Sequence, residues 1–225
     1  MTRLHDIVPG HDRLAPRASL TRHRHVRAYA AVVLEGGYTE TGDGGRIRAA
    51  AGDIIVHGVF DAHADRVGKT GARTCNLPLA GSQAAGVFRA ADPDDFIRIA
   101  HEGPSAATGW LARHALPRAR DREDWPDLLL AAMDAEPDLR FDRWAEATGL
   151  RPETVSRGFA SVYGITPARL RLERRAKAAW RAIVSTRDPL SAIALDTGFA
   201  DQPHMSRAVR EVTGHTPGAW RKAMV

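Results

Sequence analysis

The sequence predicts an α+β protein: a strand-rich N-terminal region, then an all-α domain in which two helix-turn-helix units are joined by one long helix. Three observations carry that expectation. Between residues 26 and 90 short apolar runs alternate with glycine. After Asp92 the apolar residues fall at helical spacing, and within the last ninety residues one pattern occurs twice.

The runs "YAAVVLEGG", "IRAAAGDIIVHGVF" and "TCNLPLAG" have the texture of strands and turns, with glycines where turns need positive φ. The character then changes. "DPDDFIRIAHEG" opens with Asp and Pro and continues at helical spacing, "SAATGWLARHAL" does the same, and "DWPDLLLAAMDAE" places Pro126 in the first turn of a helix. The boundary between β and α regions is expected near residues 90–95, with a polar joint, "PRARDRED", at 117–124. That divides the chain into residues 1–92, a helical linker at 93–124, and a helical domain at 125–225. In the last of these, "RFDRWAEATG" and "RPETVSRGFASVYG" are short helical patterns that each end at glycine. "TPARLRLERRAKAAWRAIVSTRD" is one long helix, with Leu170, Ala176 or Lys177, Trp180, Ile183 and Val184 at three-to-four spacing behind a Thr166-Pro167 start.

The pattern then begins again. Ala145, Thr148 and Gly149 match Ala194, Thr197 and Gly198 at an offset of 49; Ser156-Arg157, Gly164 and Thr166-Pro167 match Ser206-Arg207, Gly214 and Thr216-Pro217 at an offset of 50. Each copy reads as a short helix, a glycine turn, an apolar residue (Leu150, Phe199), a second helix, and a Gly-x-Thr-Pro stop. A turn glycine lets two helices cross steeply, the apolar residue plugs their junction, and the second helix keeps one face free for a major groove. A joining helix of about 18 residues spans roughly 27 Å; with the width of the flanking helices, the two second helices could lie about one DNA turn, roughly 34 Å, apart.

Charge agrees with that reading. Residues 140–225 carry a balance of +7 and residues 1–139 a balance of −2, so the net +5 is concentrated at the C-terminus, the end expected to meet a polyanion. A single cysteine, Cys75, rules out an intramolecular disulfide and fits a reducing compartment. The first thirty residues contain no continuous apolar run, so neither a signal peptide nor a membrane-spanning helix is expected, and the protein is expected in the cytoplasm.

The segment from about Pro126 to Lys222 resembles the DNA-binding domain of AraC/XylS-type transcriptional regulators. The residues that carry the likeness are "WAEATGLRPETVSRGFASVYGITPARLRLERRAKAAW" and "SAIALDTGFADQPHMSRAVREVTGHTPGAWRK". Two features depart from the family: Met205 and Val209 stand where aromatics are usual, and Pro203 occupies the first turn of the second recognition helix. The resemblance implies a double-stranded DNA partner, with Glu153, Ser156 and Arg157 presented by the first recognition helix and Gln202, Pro203, His204, Ser206 and Arg207 by the second. Arginine suits guanine O6 and N7, Gln suits adenine, and Ser more often holds phosphate. Arg171, Arg174 and Arg175 on the joining helix are expected either as backbone contacts or as solvated charge. Arg157 and Arg207 have an alternative use, an ion pair within the domain to Glu153 or Glu211.

Upstream, His23-x-His25, Gly36, Gly52-Asp53 and His63 fall at the spacings of the two cupin motifs. The resemblance, over about residues 15–90, implies a cupin-like small β-barrel. It departs from the family at Tyr29, where a metal-binding cupin has glutamate, and at Gly58 and Phe60, which replace Pro and Gly. No cofactor is required; the resemblance admits a divalent metal on His23, His25 and His63, with His57 and Cys75 as further ligands or ordinary barrel residues. With or without metal, such a barrel is the expected place for a small-molecule effector. The helices at 92–116 would link it to the DNA reader and offer a homodimer contact through Phe96, Ile97, Trp110 and Leu111, unless these pack within the chain. The expected function is a DNA-binding transcriptional regulator; the alternative is a metal-dependent cupin enzyme or sensor with a basic helical tail. No catalytic residues are assigned.

Overall fold

The computed structural model describes residues 3–81 and 85–223. Its architecture is α+β, strands first and helices after, and the chain divides into two compact units: Thr2–Ala132 with Ser161–Gly164, and Met133–Ala160 with Ile165–Val225.

The first unit is built on one mixed sheet. Its backbone is the long antiparallel pair of β4 (Tyr29–Gly42) and β7 (Ala62–Pro78). Along the sheet the order is β1 (Arg3–His5), β3 (Ser19–His25), β7, β4, β6 (Asp53–His57), β8 (Gly86–Arg89) and β9 (Leu116–Arg118). Two further strands lie off this path: β2 (Gly10–Leu14) pairs with β7, and β5 (Gly45–Ala50) pairs with β4.

The run "YAAVVL" is apolar on both faces because β4 is covered on both. Ala30 and Val32 join Ile54, Val56, Cys75, Leu77, Phe96, Ala107 and Trp110 in one core. Tyr29, Ala31 and Val33 join Tyr38, Ile47, Ile55, Val67 and Val87 in the other. Strand alternation thus sorts neighbouring residues of one strand into two cores.

The segment 93–124, expected as a helical linker, is packed on this sheet. α1 (Pro93–Ala100) starts at Asp92, whose side chain accepts from Asp95 N, and α2 (Pro104–His114) follows. Phe96 and Trp110 are buried, Ile97 and Leu111 pack against the same core, and Trp110 Nε1 donates to Asp95 Oδ2 at 2.7 Å. These four apolar residues therefore pack within the chain and do not form the exposed dimer contact that the sequence offered. The three-residue strand β9 overlaps the start of the expected polar joint and pairs antiparallel with β8.

The second unit holds the repeat. α4 (Phe141–Ala147) and α5 (Pro152–Tyr163) form the first helical pair, α7 (Leu190–Asp196) and α8 (Gln202–Thr213) the second; α6 (Pro167–Ser185) joins them and α9 (Pro217–Ala223) follows. The two turns are built alike. Gly149 and Gly198 have φ of +70° and +78°, and the next residue's N–H reaches back five residues, Leu150 N to Ala145 O at 2.9 Å and Phe199 N to Ala194 O at 2.8 Å. Thr148 and Thr197 each donate their hydroxyl four residues back, to Trp144 O and Ile193 O. This is the Schellman closure, with the apolar residue just beyond the glycine.

A Cβ at Gly149 would meet nothing within 4 Å, so only the backbone conformation resists substitution there. Gly149→Ala is expected to cost about 1–2 kcal/mol, the penalty of a left-handed L-residue. Gly198→Ala should cost more, because its Cβ would lie 2.9 Å from Arg175 Nε. Urea denaturation of the two variants checks the order.

Candidate functional site

The two second helices bury the same stripe at an offset of fifty. Val155, Phe159 and Tyr163 are buried along α5; Met205, Val209 and Thr213 are buried along α8. Fixing that stripe inward fixes what faces out. On α5, Glu153 and Arg157 are exposed and Ser156 is half-buried; on α8, Gln202, Pro203 and Arg207 are exposed while His204 and Ser206 are half-buried. α8 is started by Asp201, whose Oδ1 accepts from His204 N at 2.7 Å, so Pro203 sits in the first turn where its missing N–H costs nothing.

Arg157 and Arg207 make no ion pair among the described residues, and Glu211, the alternative partner for Arg207, instead meets Arg169 at 2.7 Å. The joining-helix arginines are differently placed. Arg171 donates to Leu139 O and stacks over Phe141 at 4.0 Å. Arg174 pairs with Asp134 at 2.8 Å, and Arg175 pairs with Asp138 while donating to Gly198 O at 2.7 Å. These three tie α6 to α3 (Trp125–Ala135), to the loop after it and to the second turn.

The sheet unit carries a second cluster. His23 and His25 project from β3, His57 ends β6, and His63 lies near the start of β7. Register brings them together: His23 opposes His63, Tyr29 opposes His57, and Glu40 on β4 opposes Asp65 on β7. At Gly42, opposite His63, an added Cβ would stand 2.8 Å from the His63 Cβ, so the close approach of β4 to this histidine needs glycine.

Two groups result, His23–His25–His63 and Glu40–His57–His63. Within each, the ligand atoms lie within 4.8 Å of one another. His63, His57 and Glu40 are buried. Burial drives the imidazoles toward the neutral form, His25 down to about 4, His57 to about 3 and His63 well below its ordinary value, with the neighbouring histidines adding to it. It acts oppositely on the acids: Glu40 is raised well above the carboxylate range by desolvation and by Asp65 and Asp61, and Asp65 rises to about 7 by desolvation. Both ring nitrogens of His25, Nδ1 of His63 and Oδ1 of Asp65 are buried without a hydrogen-bond partner. Cys75 takes no part; it packs among Ala28, Ala30 and Leu77 in the other core.

Comparison with known proteins bears on the helical unit. Residues 144–223 match the family described as a helix-turn-helix domain. The C-terminal segment is an AraC-type helix-turn-helix domain. A transcriptional regulator with an AraC-type DNA-binding domain, from Chromobacterium violaceum, is 28% identical over 43% of this chain and 88% of its own, with a TM-score of 0.38. The C-terminal domain of AraT, a response regulator from Geobacillus stearothermophilus, is 28% identical over 38% of this chain and 71% of its own, with a TM-score of 0.35. ToxT from Vibrio cholerae aligns over 95% of this chain and 98% of its own at 8% identity, with a TM-score of 0.44. No curated protein matches the chain.

Within the AraC-type domain, the departures at Met205 and Val209 are absorbed by packing: both are fully buried, on the positions that Val155 and Phe159 hold on α5. In the sheet unit, Phe60 departs from a motif glycine yet keeps a left-handed φ of +62°, with its ring buried. What sequence spacing missed is Glu40 and Asp65, which belong to neither histidine motif and reach the cluster only through the β4–β7 pairing. Among the described residues no helix is long and apolar enough to cross a membrane.

Proposed function

We propose that this protein is a sequence-specific DNA-binding transcriptional regulator, acting in the cytoplasm, that reads two successive major-groove segments through α5 and α8 and takes a small-molecule effector in its N-terminal sheet unit. The observation that carries the reading is the duplicated helix-turn-helix with Arg157 and Arg207 at equivalent exposed positions, neither engaged in an ion pair among the described residues. Each arginine can take guanine O6 and N7 bidentately, Gln202 suits adenine, and Glu153 can accept from cytosine N4. Ser156 and Ser206 suit phosphate, and His204 and Pro203 sit near Ser206 at the start of α8. α6, 19 residues long, spans about 28 Å at about 1.5 Å per residue, which with the width of the flanking helices approaches one turn of DNA, roughly 34 Å.

Arg171, Arg174 and Arg175, engaged within the domain, act mainly by holding α6 against the segment that precedes the first helical pair. Arg174→Ala is expected to reduce DNA affinity on every sequence alike, by about fivefold or less, since a half-exposed pair contributes about 0–1 kcal/mol. Fluorescence-anisotropy titration of duplexes tiled across the gene's own upstream region, at two salt concentrations, tests the reading as a whole. One tile should bind much more tightly than the rest; uniform binding with a steep salt dependence on all tiles would overturn it.

A further inference from the structure

The histidine cluster has an inner and an outer half, and their surroundings differ. The outer triad, His23–His25–His63, has two half-buried members, and the Arg22 guanidinium acts on both His23 and His63. The inner triad, Glu40–His57–His63, is buried throughout and is the half that contains a carboxylate. Asp65, Asp61 and Asp43 all bear on Glu40 electrostatically, and Asp65 faces it across the strand pair.

A buried carboxyl next to further acids is unfavourable unless it is neutralised, by a proton or by a cation. Uncharged imidazoles beside it offer lone pairs, and a set of nitrogens with one carboxylate oxygen suits a zinc-class ion. Ligand atoms around such an ion stand roughly 3.4 Å apart. Atoms already within 4.8 Å of one another therefore need only small side-chain rotations to close on it. The three-imidazole half contains no carboxylate ligand to offset the double charge, and the arginine beside it already pairs with Asp43 at 2.5 Å.

We propose that Glu40, His57 and His63 form a binding site for a divalent cation of the zinc class. Glu40 supplies the charge, His57 and His63 the nitrogens, and Asp65, with its unpartnered Oδ1, adds negative potential behind them. His25, both ring nitrogens unpartnered, and His23, whose Nδ1 lies 3.0 Å from Thr21 O, are the half-buried histidines beside it. The site stands on its own geometry; that the ion is the effector rests on the regulatory reading above.

The test is equilibrium dialysis of the full chain against Zn²⁺, with Co²⁺ absorption as a spectroscopic probe, on wild type, Glu40→Gln, His63→Ala and His23→Ala. Wild type should take up one ion per chain. Glu40→Gln, nearly isosteric, and His63→Ala should each weaken binding at least about tenfold, and His23→Ala by less than about threefold. Circular dichroism of Glu40→Gln separates a lost ligand from a lost fold. Absence of stoichiometric binding overturns the proposal. So does binding that survives Glu40→Gln and is lost in His23→Ala, since the ion then occupies the outer triad. The same preparations are titrated with the tight upstream duplex. If no duplex is preferred while Zn²⁺ still binds, the regulatory reading fails and the site stands; if both bind but Zn²⁺ leaves DNA affinity unchanged, the ion is not the effector.

Discussion

Arg157→Ala with Arg207→Ala in one chain is expected to erase the preference for the tight upstream duplex. Each arginine, if bidentate to a guanine, contributes about 1–3 kcal/mol of discrimination, or roughly 5- to 150-fold in affinity. The two lie on separate helices of a duplicated fold and share no partner, so their effects should multiply. Single variants should each lose affinity for the tight duplex and relax selectivity at one end of it only. Binding to unrelated duplexes should change little. The salt dependence separates this from bulk electrostatics: a phosphate-binding arginine, once removed, weakens all sequences and lowers the salt slope by about one per residue. If the double variant weakens unrelated duplexes as much as the preferred one, neither arginine reads bases and α5 and α8 are not the specificity elements.

The helical half was legible because its information is local. A glycine that must be left-handed, a threonine two residues before the following apolar plug, and a Thr-Pro start leave marks at fixed offsets, and a duplication shows each mark twice. Met205 and Val209, departures at the level of family pattern, were harmless because the stripe they fill demands apolar volume more than aromatic shape. In the sheet half, His23, His25 and His63 could be picked out by spacing. Glu40 could not, because its neighbours Asp65 and His63 lie more than twenty residues away in sequence and meet it only through the register of β4 on β7. The helices at 93–114 were recognised as helices, but whether Phe96 and Trp110 face a partner or their own sheet is decided by packing, which periodicity does not report. The same holds for Arg171, Arg174 and Arg175, where a run of like charges reads as a face for DNA until their carboxylate and carbonyl partners are known.

Arg46→Ala should destabilise the sheet unit by about 3–5 kcal/mol, the usual cost of leaving a buried charge without its partner. Arg46, on β5, is largely buried and holds three carboxylates: Glu123 at 2.5 Å, Asp124 at 3.0 Å and Asp127 at 3.3 Å. They are not equivalent. Glu123 and Asp124 are 31% and 50% exposed, so each of those pairs contributes about 0–1 kcal/mol. Asp127 is 3% exposed and also accepts from Glu123 N at 2.8 Å and from the Tyr163 hydroxyl at 2.5 Å. Without the guanidinium its charge would rest on neutral donors alone, with two more acids at hand. Most of the loss should therefore trace to Asp127, and a double-mutant cycle shows it: Arg46→Ala combined with Asp127→Asn should be more stable than Arg46→Ala by itself. Arg46→Lys should fall between, since one ammonium cannot present a planar fork to three carboxylates. Because the chain has two compact units, a single melting temperature would mix them. Hydrogen exchange of the β4 and β7 amides reports the sheet unit directly, and unchanged protection in Arg46→Ala would mean that these ion pairs do not clamp residues 123–127 to the sheet.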